Sequence, residues 1–283
     1  MSQTVSEFTQ FTVTAGRSSL IMVPTYVNGR GPYNFILDTG AAHTLISPGL
    51  ASSLSVQSES EEKAFGAGGA VQISLARVDS IAVGSARQEN AQVAITNELE
   101  QIGAALRAQV DGDLGFSFMK DFRVTVDYQR NVLRLARASD NHDENSHDAT
   151  TVPFTLASAD PLIVVQAVVN EQGPFQFALD TGAGRTVLTP ELAERLNIGA
   201  TKEVKGAGVG GEVQLTRATV DSLSLSGATV RNNDVVLGAF LHAISGAAGT
   251  ELEGVVGNNF LNQFLLTIDY AQNRLTLAVP RQL

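Results

Sequence analysis

Residues 35–47 read FILDTGAAHTLIS, and residues 177–189 read FALDTGAGRTVLT. In each stretch an apolar run meets Asp-Thr-Gly-Ala, at Asp38-Thr39-Gly40-Ala41 and again at Asp180-Thr181-Gly182-Ala183. The offset between the copies is 142 residues and it persists outward without a gap. Upstream, Leu20-Ile21 matches Leu162-Ile163, Asn28 matches Asn170, and Gly31-Pro32 matches Gly173-Pro174. Downstream, Pro48 matches Pro190, Lys63 matches Lys205, Gly66 matches Gly208, and Gly68-Gly69 matches Gly210-Gly211. The register still holds at Val78-Asp79-Ser80 and Val220-Asp221-Ser222, at Gly112 and Gly254, at Gly115 and Gly257, and at Phe118 and Phe260. It ends with Asp127-Tyr128 and Asp269-Tyr270. A repeat this long is a duplicated domain, not a solenoid unit.

Beta-branched and aromatic residues punctuated by Gly, Asn and Asp dominate both halves, so the expected class is mainly β. Asn28 to Pro32 and Asn170 to Pro174 carry turn chemistry, each joining two strands of which the second runs into an Asp-Thr-Gly loop. Thr189-Pro190-Glu191 before LAERL supplies a cap, a first-turn proline and a first-turn acid, and Ser47-Pro48 opens the matching helix. Further short helices are expected at Phe116 to Asp121 and Asn258 to Gln263. Glu98 to Ala108 has helical composition interrupted by Gly103. The domains expected are an N-terminal lobe at 1–138, a polar acidic linker at 139–151 and a C-terminal lobe at 152–283. His142, His147 and the acids of that linker lack a fixed ligand spacing, so no metal site is expected there.

A chain of 283 residues with 43% hydrophobic content can bury a core in each half without staples. Cysteine is absent, which excludes disulfides and thiolate chemistry. A net charge of −10 and a pI near 4.8 disfavour nucleic acid and anionic membranes and point to a neutral or basic partner. The longest apolar run, Pro161 to Val169, falls far short of the roughly 20 residues of a spanning helix. The reading is a soluble chain, with cytoplasm, periplasm or secretion after loss of a leader all left open.

If a pseudo-twofold axis brings the two loops together, Asp38 and Asp180 share one site, and like charges a few Å apart cannot both ionise cheaply. The pair then keeps one proton. Its ionised member can take a proton from a bound water while the protonated one donates to a carbonyl oxygen, which is the chemistry of peptide hydrolysis without a covalent intermediate.

These motifs resemble the retropepsin-like aspartic proteases, the clan of retroviral and pepsin-like enzymes, with two lobes fused in tandem. Three elements in each half carry the likeness: the Asp-Thr-Gly-Ala loop, a glycine-rich hairpin, and an apolar segment with glycine leading into a short helix, as in Val255-Val256-Gly257-Asn258-Asn259-Phe260-Leu261. The resemblance implies a bilobal acid-protease fold of two small β-barrels, catalysis by Asp38 and Asp180, and an extended polypeptide as substrate. It implies no cofactor, and a monomer suffices because one chain carries both carboxylates. Thr39 and Thr181 should bond across the lobe interface, and Gly40 and Gly182 should leave amides free for the carboxylates. Ala41 and Ala183 stand where pepsin-like enzymes usually have a hydroxyl, which should raise the pKa of the pair toward activity in mild acid or at neutrality.

The flaps should be the hairpins around Gly66-Ala67-Gly68-Gly69 and Gly208-Val209-Gly210-Gly211, and their lack of tyrosine favours closure by two flaps. Gly112-Asp113-Leu114-Gly115 departs from the family, because Asp113 stands where the other lobe has the apolar Val255, a position lining a subsite next to the scissile bond. Asp113 should either favour a basic substrate side chain or raise the pKa of the pair, unless it turns to solvent or bonds locally. His43 and Arg185 replace the family's acids and read as solvated surface. Asp79, Asp221, Asp127 and Asp269 read as strand ends and turns. Two rivals remain on the residues alone: a non-catalytic peptide-binding module using the same cleft, and an assembly protein using its sheet edges.

Overall fold

The structure is a computed structural model, and it describes residues 8–14, 20–137 and 149–280. The chain is mainly β and bilobal. Each lobe holds an eight-stranded sheet, and a six-stranded sheet joins the two. The joining sheet is symmetric: Phe122–Asp127 pairs antiparallel with Leu265–Asp269, and Thr125 faces Thr267 at the centre with their hydroxyls 3.1 Å apart. These two threonines are equivalent in the repeat, so the pseudo-twofold axis passes between them. Outward on each side lie Val132–Arg137 and Phe8–Gln10, and Arg274–Ala278 and Ala149–Pro153. Thr150 and Thr151, placed at the end of the linker by composition, are therefore sheet residues, while the rest of the expected linker from 139 to 148 lies outside the described residues.

Within each lobe, Ile21–Val27 and Ile163–Val169 keep one face buried throughout, while the other face is buried at the strand start and opens toward its end. The expected helices form at Pro48–Ser53, Pro190–Arg195, Phe116–Met119 and Asn258–Leu261. Ser47 and Thr189 accept the amides of Leu50 and Leu192, each at 3.2 Å, which fixes the starts of the first two. Glu98–Leu106 is helical despite Gly103 because Leu99 and Gly103 are buried against the lobe. The helix Leu241–Ala248 at the equivalent place has weak sequence signals, and burial of Leu241 and Ala248 holds it.

Among the described residues, three apolar clusters form the core. The largest runs through both lobes and the joining sheet, with Phe35, Phe118, Phe177 and Phe260 fully buried in it. The two smaller ones lie one in each lobe, and each is made of nearly the same repeat positions as the other.

Candidate active site

Each Asp-Thr-Gly loop leaves a buried strand and is gripped from below. Arg30–Leu37 pairs parallel with Gly112–Leu114, and the Asp38 amide donates to the Leu114 carbonyl at 3.1 Å. The second copy repeats this with Gln172–Leu179, Gly254–Val256 and a 3.0 Å bond from Asp180 to Val256. The helices that follow tie the far side of each loop: Phe116 donates to Ala41 and Asn258 to Ala183, both at 2.8 Å.

The threonines lock one loop to the other. The Thr39 amide donates to the Thr181 hydroxyl at 3.1 Å and the Thr181 amide to the Thr39 hydroxyl at 3.0 Å. Each hydroxyl donates in turn across the interface, Thr39 to the Leu179 carbonyl at 2.8 Å and Thr181 to the Leu37 carbonyl at 2.7 Å. Both side chains are almost wholly buried. Four bonds in so small a volume leave the aspartates little freedom to drift.

The carboxyl groups of Asp38 and Asp180 meet at the centre, close enough to share a hydrogen bond. Gly40 and Gly182 donate to Oδ1 of their own aspartates, each at 2.7 Å, and Ala183 adds a second amide to Asp180 at 3.1 Å. Absence of a side chain at these glycines is a packing requirement. A Cβ on Gly40 would sit 2.7 Å from Asp180 Cγ, and one on Gly182 would fall inside van der Waals contact of the Asp38 carboxyl.

A third carboxyl joins the pair. Asp113, only 2% exposed, hydrogen-bonds Asp38, and its Oδ1 is buried with no hydrogen-bond partner among the described residues. It neither turns to solvent nor makes a local turn; the sheet register aims it to the same face as Ile36 and Leu45. Burial raises Asp38 well above the ordinary carboxylate range, helped by the charge and hydrogen bond of Asp113 and opposed by Asp180 and the Gly40 amide. Burial likewise raises Asp180, with the charge of Asp38 next and the amides of Gly182 and Ala183 opposing. Asp113 is pushed from 3.8 up to about 8, first by burial.

These directions give a signed prediction for Asp113→Val, which installs the residue of the other lobe. A carboxyl whose folded pKa is raised stabilises the fold fully at low pH and loses that contribution as pH climbs from about 4 to about 8. Removing it, and its unpartnered oxygen, should stabilise by about 1–3 kcal/mol. The gain in melting temperature should be larger at the alkaline end of that interval than at the acid end. The acid limb of any hydrolytic activity should also move to lower pH, because Asp113 raises Asp38. Thermal melts and rate profiles across pH check both, and a melting temperature equally changed at all pH values would contradict the assignment.

The two glycine-rich hairpins expected as flaps meet each other at their tips. Their strands are Ser58–Gly66 with Gly69–Val83, and Lys202–Gly208 with Gly211–Leu225. The tips meet backbone to backbone: the Gly68 amide donates to the Val209 carbonyl at 2.8 Å. A Cβ on Gly66, Gly68, Gly208 or Gly210 would collide with the opposite tip, Gly208 meeting the Ala67 methyl at 2.8 Å. Gly69, Gly210 and Gly211 have positive φ, at 128°, 94° and 119°.

One tip has a latch that sequence reasoning missed. Glu98, at the first turn of its helix in the N-terminal lobe, accepts the Gly210 amide of the opposite flap at 2.9 Å. The equivalent position in the C-terminal lobe is Phe240, so the latch is one-sided. Only the doubled register, which sets Glu98 opposite a phenylalanine, hinted at it. Glu98→Ala should raise hydrogen exchange at the Gly208–Gly211 tip by about tenfold or more, the worth of a charge-assisted bond. Unchanged exchange at that tip would show that the latch does not hold it.

Other expected residues form an ion pair, close turns or lie on strands. Arg185, expected on solvated surface, is half-buried and pairs with Asp234 at 3.6 Å. Asp127 and Asp269 do close turns, accepting the amides of Arg130 and Gln272, and Asp269 also pairs with Arg123 at 3.3 Å. Asp79 and Asp221 are not strand ends: they lie exposed within the long strands Gly69–Val83 and Gly211–Leu225. His142 and His147 lie outside the described residues. Among those described, no group of three or more His, Cys, Asp and Glu is arranged to hold a metal, and no helix is long and apolar enough to cross a membrane.

Comparison with known families meets this geometry at the same residues. The sequence profile of the aspartyl protease family matches residues 23–118 and again residues 165–260, two tandem spans covering both lobes. The chain belongs to that family. No curated protein matches it.

Proposed function

We propose that the chain is an aspartic endopeptidase in which Asp38 and Asp180 activate a water for attack on a peptide bond. The observation that carries this is the meeting of the two repeat-equivalent carboxyls on a floor locked by Thr39 and Thr181, and we read the two glycine-rich hairpins as its flaps. Shared burial and mutual charge keep a proton on the pair, so one carboxyl can act as base toward water while the other acts as acid toward the carbonyl oxygen. Hydrogen-bonded amides hold each aspartate in place and require no reorganisation during the reaction. The product of attack is a tetrahedral diol, and return of the protons to the leaving amine and to the pair completes hydrolysis.

The substrate is an extended polypeptide, lying between floor and flaps and bonded through its backbone by the tips. The acidic chain favours neutral or basic polypeptides. Both carboxyls come from one chain, so a monomer suffices. Three raised carboxyls keep the cluster protonated beyond the usual carboxylate range, which sets activity nearer neutrality than strong acid.

The test is digestion of a diverse peptide library at several pH values, with products read by mass spectrometry. New termini made by the wild type and absent with Asp38→Asn support the reading. Identical products from both proteins would reject it.

A further inference from the structure

The two smaller apolar clusters form a matched pair of walls beside the catalytic floor. Leu20, Ile36, Leu45 and Leu99 in one correspond to Leu162, Ala178, Val187 and Leu241 in the other. Each wall runs up to a flap: Ala64 and Val71 pack on the first, and Leu215 packs on the second, which also takes in Ala183 beside the Asp180 loop. At the point nearest the dyad the symmetry breaks. Val255 completes the second wall, whereas its counterpart Asp113 puts a carboxyl between Ile36 and Leu45 in the first.

A peptide crossing a site with twofold geometry presents the residue on one side of its scissile bond to one wall and the residue on the other side to the other. Apolar contact serves the Val255 wall. The Asp113 wall holds a buried acceptor, Oδ1, that nothing among the described residues satisfies, and a buried acceptor of this kind rejects an apolar side chain and selects a donor. The fit is best for a cation. Resting on the endopeptidase reading, we infer that the enzyme cuts between a lysine or arginine, received by Asp113, and an apolar residue, received by the Val255 wall.

Two further facts agree. The chain carries a net charge of −10, which draws cationic segments toward it. An ammonium or guanidinium beside Asp113 would also offset the cost of holding that buried carboxyl as an anion.

The experiment profiles cleavage of peptides varied at the two residues flanking the scissile bond, using wild type, Asp113→Val, Asp113→Asn and Asp38→Asn. Wild type should prefer Lys or Arg over Leu by about 100-fold or more at one flanking position, and an apolar residue at the other. Asp113→Val should lose that preference and accept apolar residues on both sides. Asp113→Asn, which keeps the shape and removes the charge, should lose the same preference independently of any repacking in the valine variant. Wild-type cleavage between two apolar residues, or a profile unchanged in Asp113→Asn, overturns the inference while leaving the protease reading intact. A wild type that makes no product beyond those of Asp38→Asn overturns both.

Discussion

Asp180→Asn is expected to lower kcat by about 1000-fold or more, the scale of a lost general acid–base group, with the fold intact. Asparagine keeps an oxygen where Asp180 Oδ1 accepts the amides of Gly182 and Ala183, so the loop has no reason to move. What disappears is the ability to alternate between proton acceptor and proton donor. Because burial and Asp38 hold the Asp180 carboxyl high, its ionisation costs stability as pH rises, and the variant should melt no lower than wild type in neutral buffer. Steady-state rates with thermal melts check both halves. A variant with wild-type turnover would remove Asp180 from the chemistry.

Gly182→Ala is expected to be damaging too, about tenfold less so, for a different reason. Its added methyl would fall inside van der Waals contact of the Asp38 carboxyl, and the backbone there does not have the positive φ that would add strain of its own. The carboxyl must therefore swing away from its partner, and a displacement of about 1 Å at a reacting group costs roughly 100-fold in rate. Gly40→Ala should act in mirror image, its methyl 2.7 Å from Asp180 Cγ. Gly199→Ala supplies the control, since nothing lies within 4 Å of a Cβ there. Turnover measured for the three variants should fall for the two loop glycines alone. Equal rates for Gly182→Ala and Gly199→Ala would mean that the carboxyls are not packed as described.

The floor of the site was legible because duplication doubles every weak signal. A single Asp-Thr-Gly suits many turns, but two in one register, each after an apolar strand and each followed by a glycine hairpin, leave few folds available. The joining sheet was not legible: Phe8–Gln10 and Ala149–Pro153 are short and carry little burial pattern of their own, and they become strands by pairing with the open edges of the sheet. The helix Leu241–Ala248 likewise owes its existence to the buried surface it covers, since its own residues include two small polar or glycine positions in Ser245 and Gly246. Asp113 stood out in the sequence as a charge where Val255 predicted an apolar residue. Its meeting with Asp38, and the lack of a partner for its Oδ1 among the described residues, depend on a sheet register that no local pattern displays. The Glu98 latch is less readable still, for it joins residues 112 positions apart in different lobes.

The claim on which the rest depends is that Asp38 and Asp180 act together on one tetrahedral species. Binding of a peptide mimic with a hydroxyl in place of the scissile carbonyl, compared by calorimetry with the parent peptide held uncut by Asp180→Asn, tests it most directly. The account predicts that wild type holds the hydroxyl mimic at least about 100-fold more tightly than the variant holds the parent peptide, with a proton uptake or release that changes with buffer. Equal affinity for the two, with no linked proton, would contradict it.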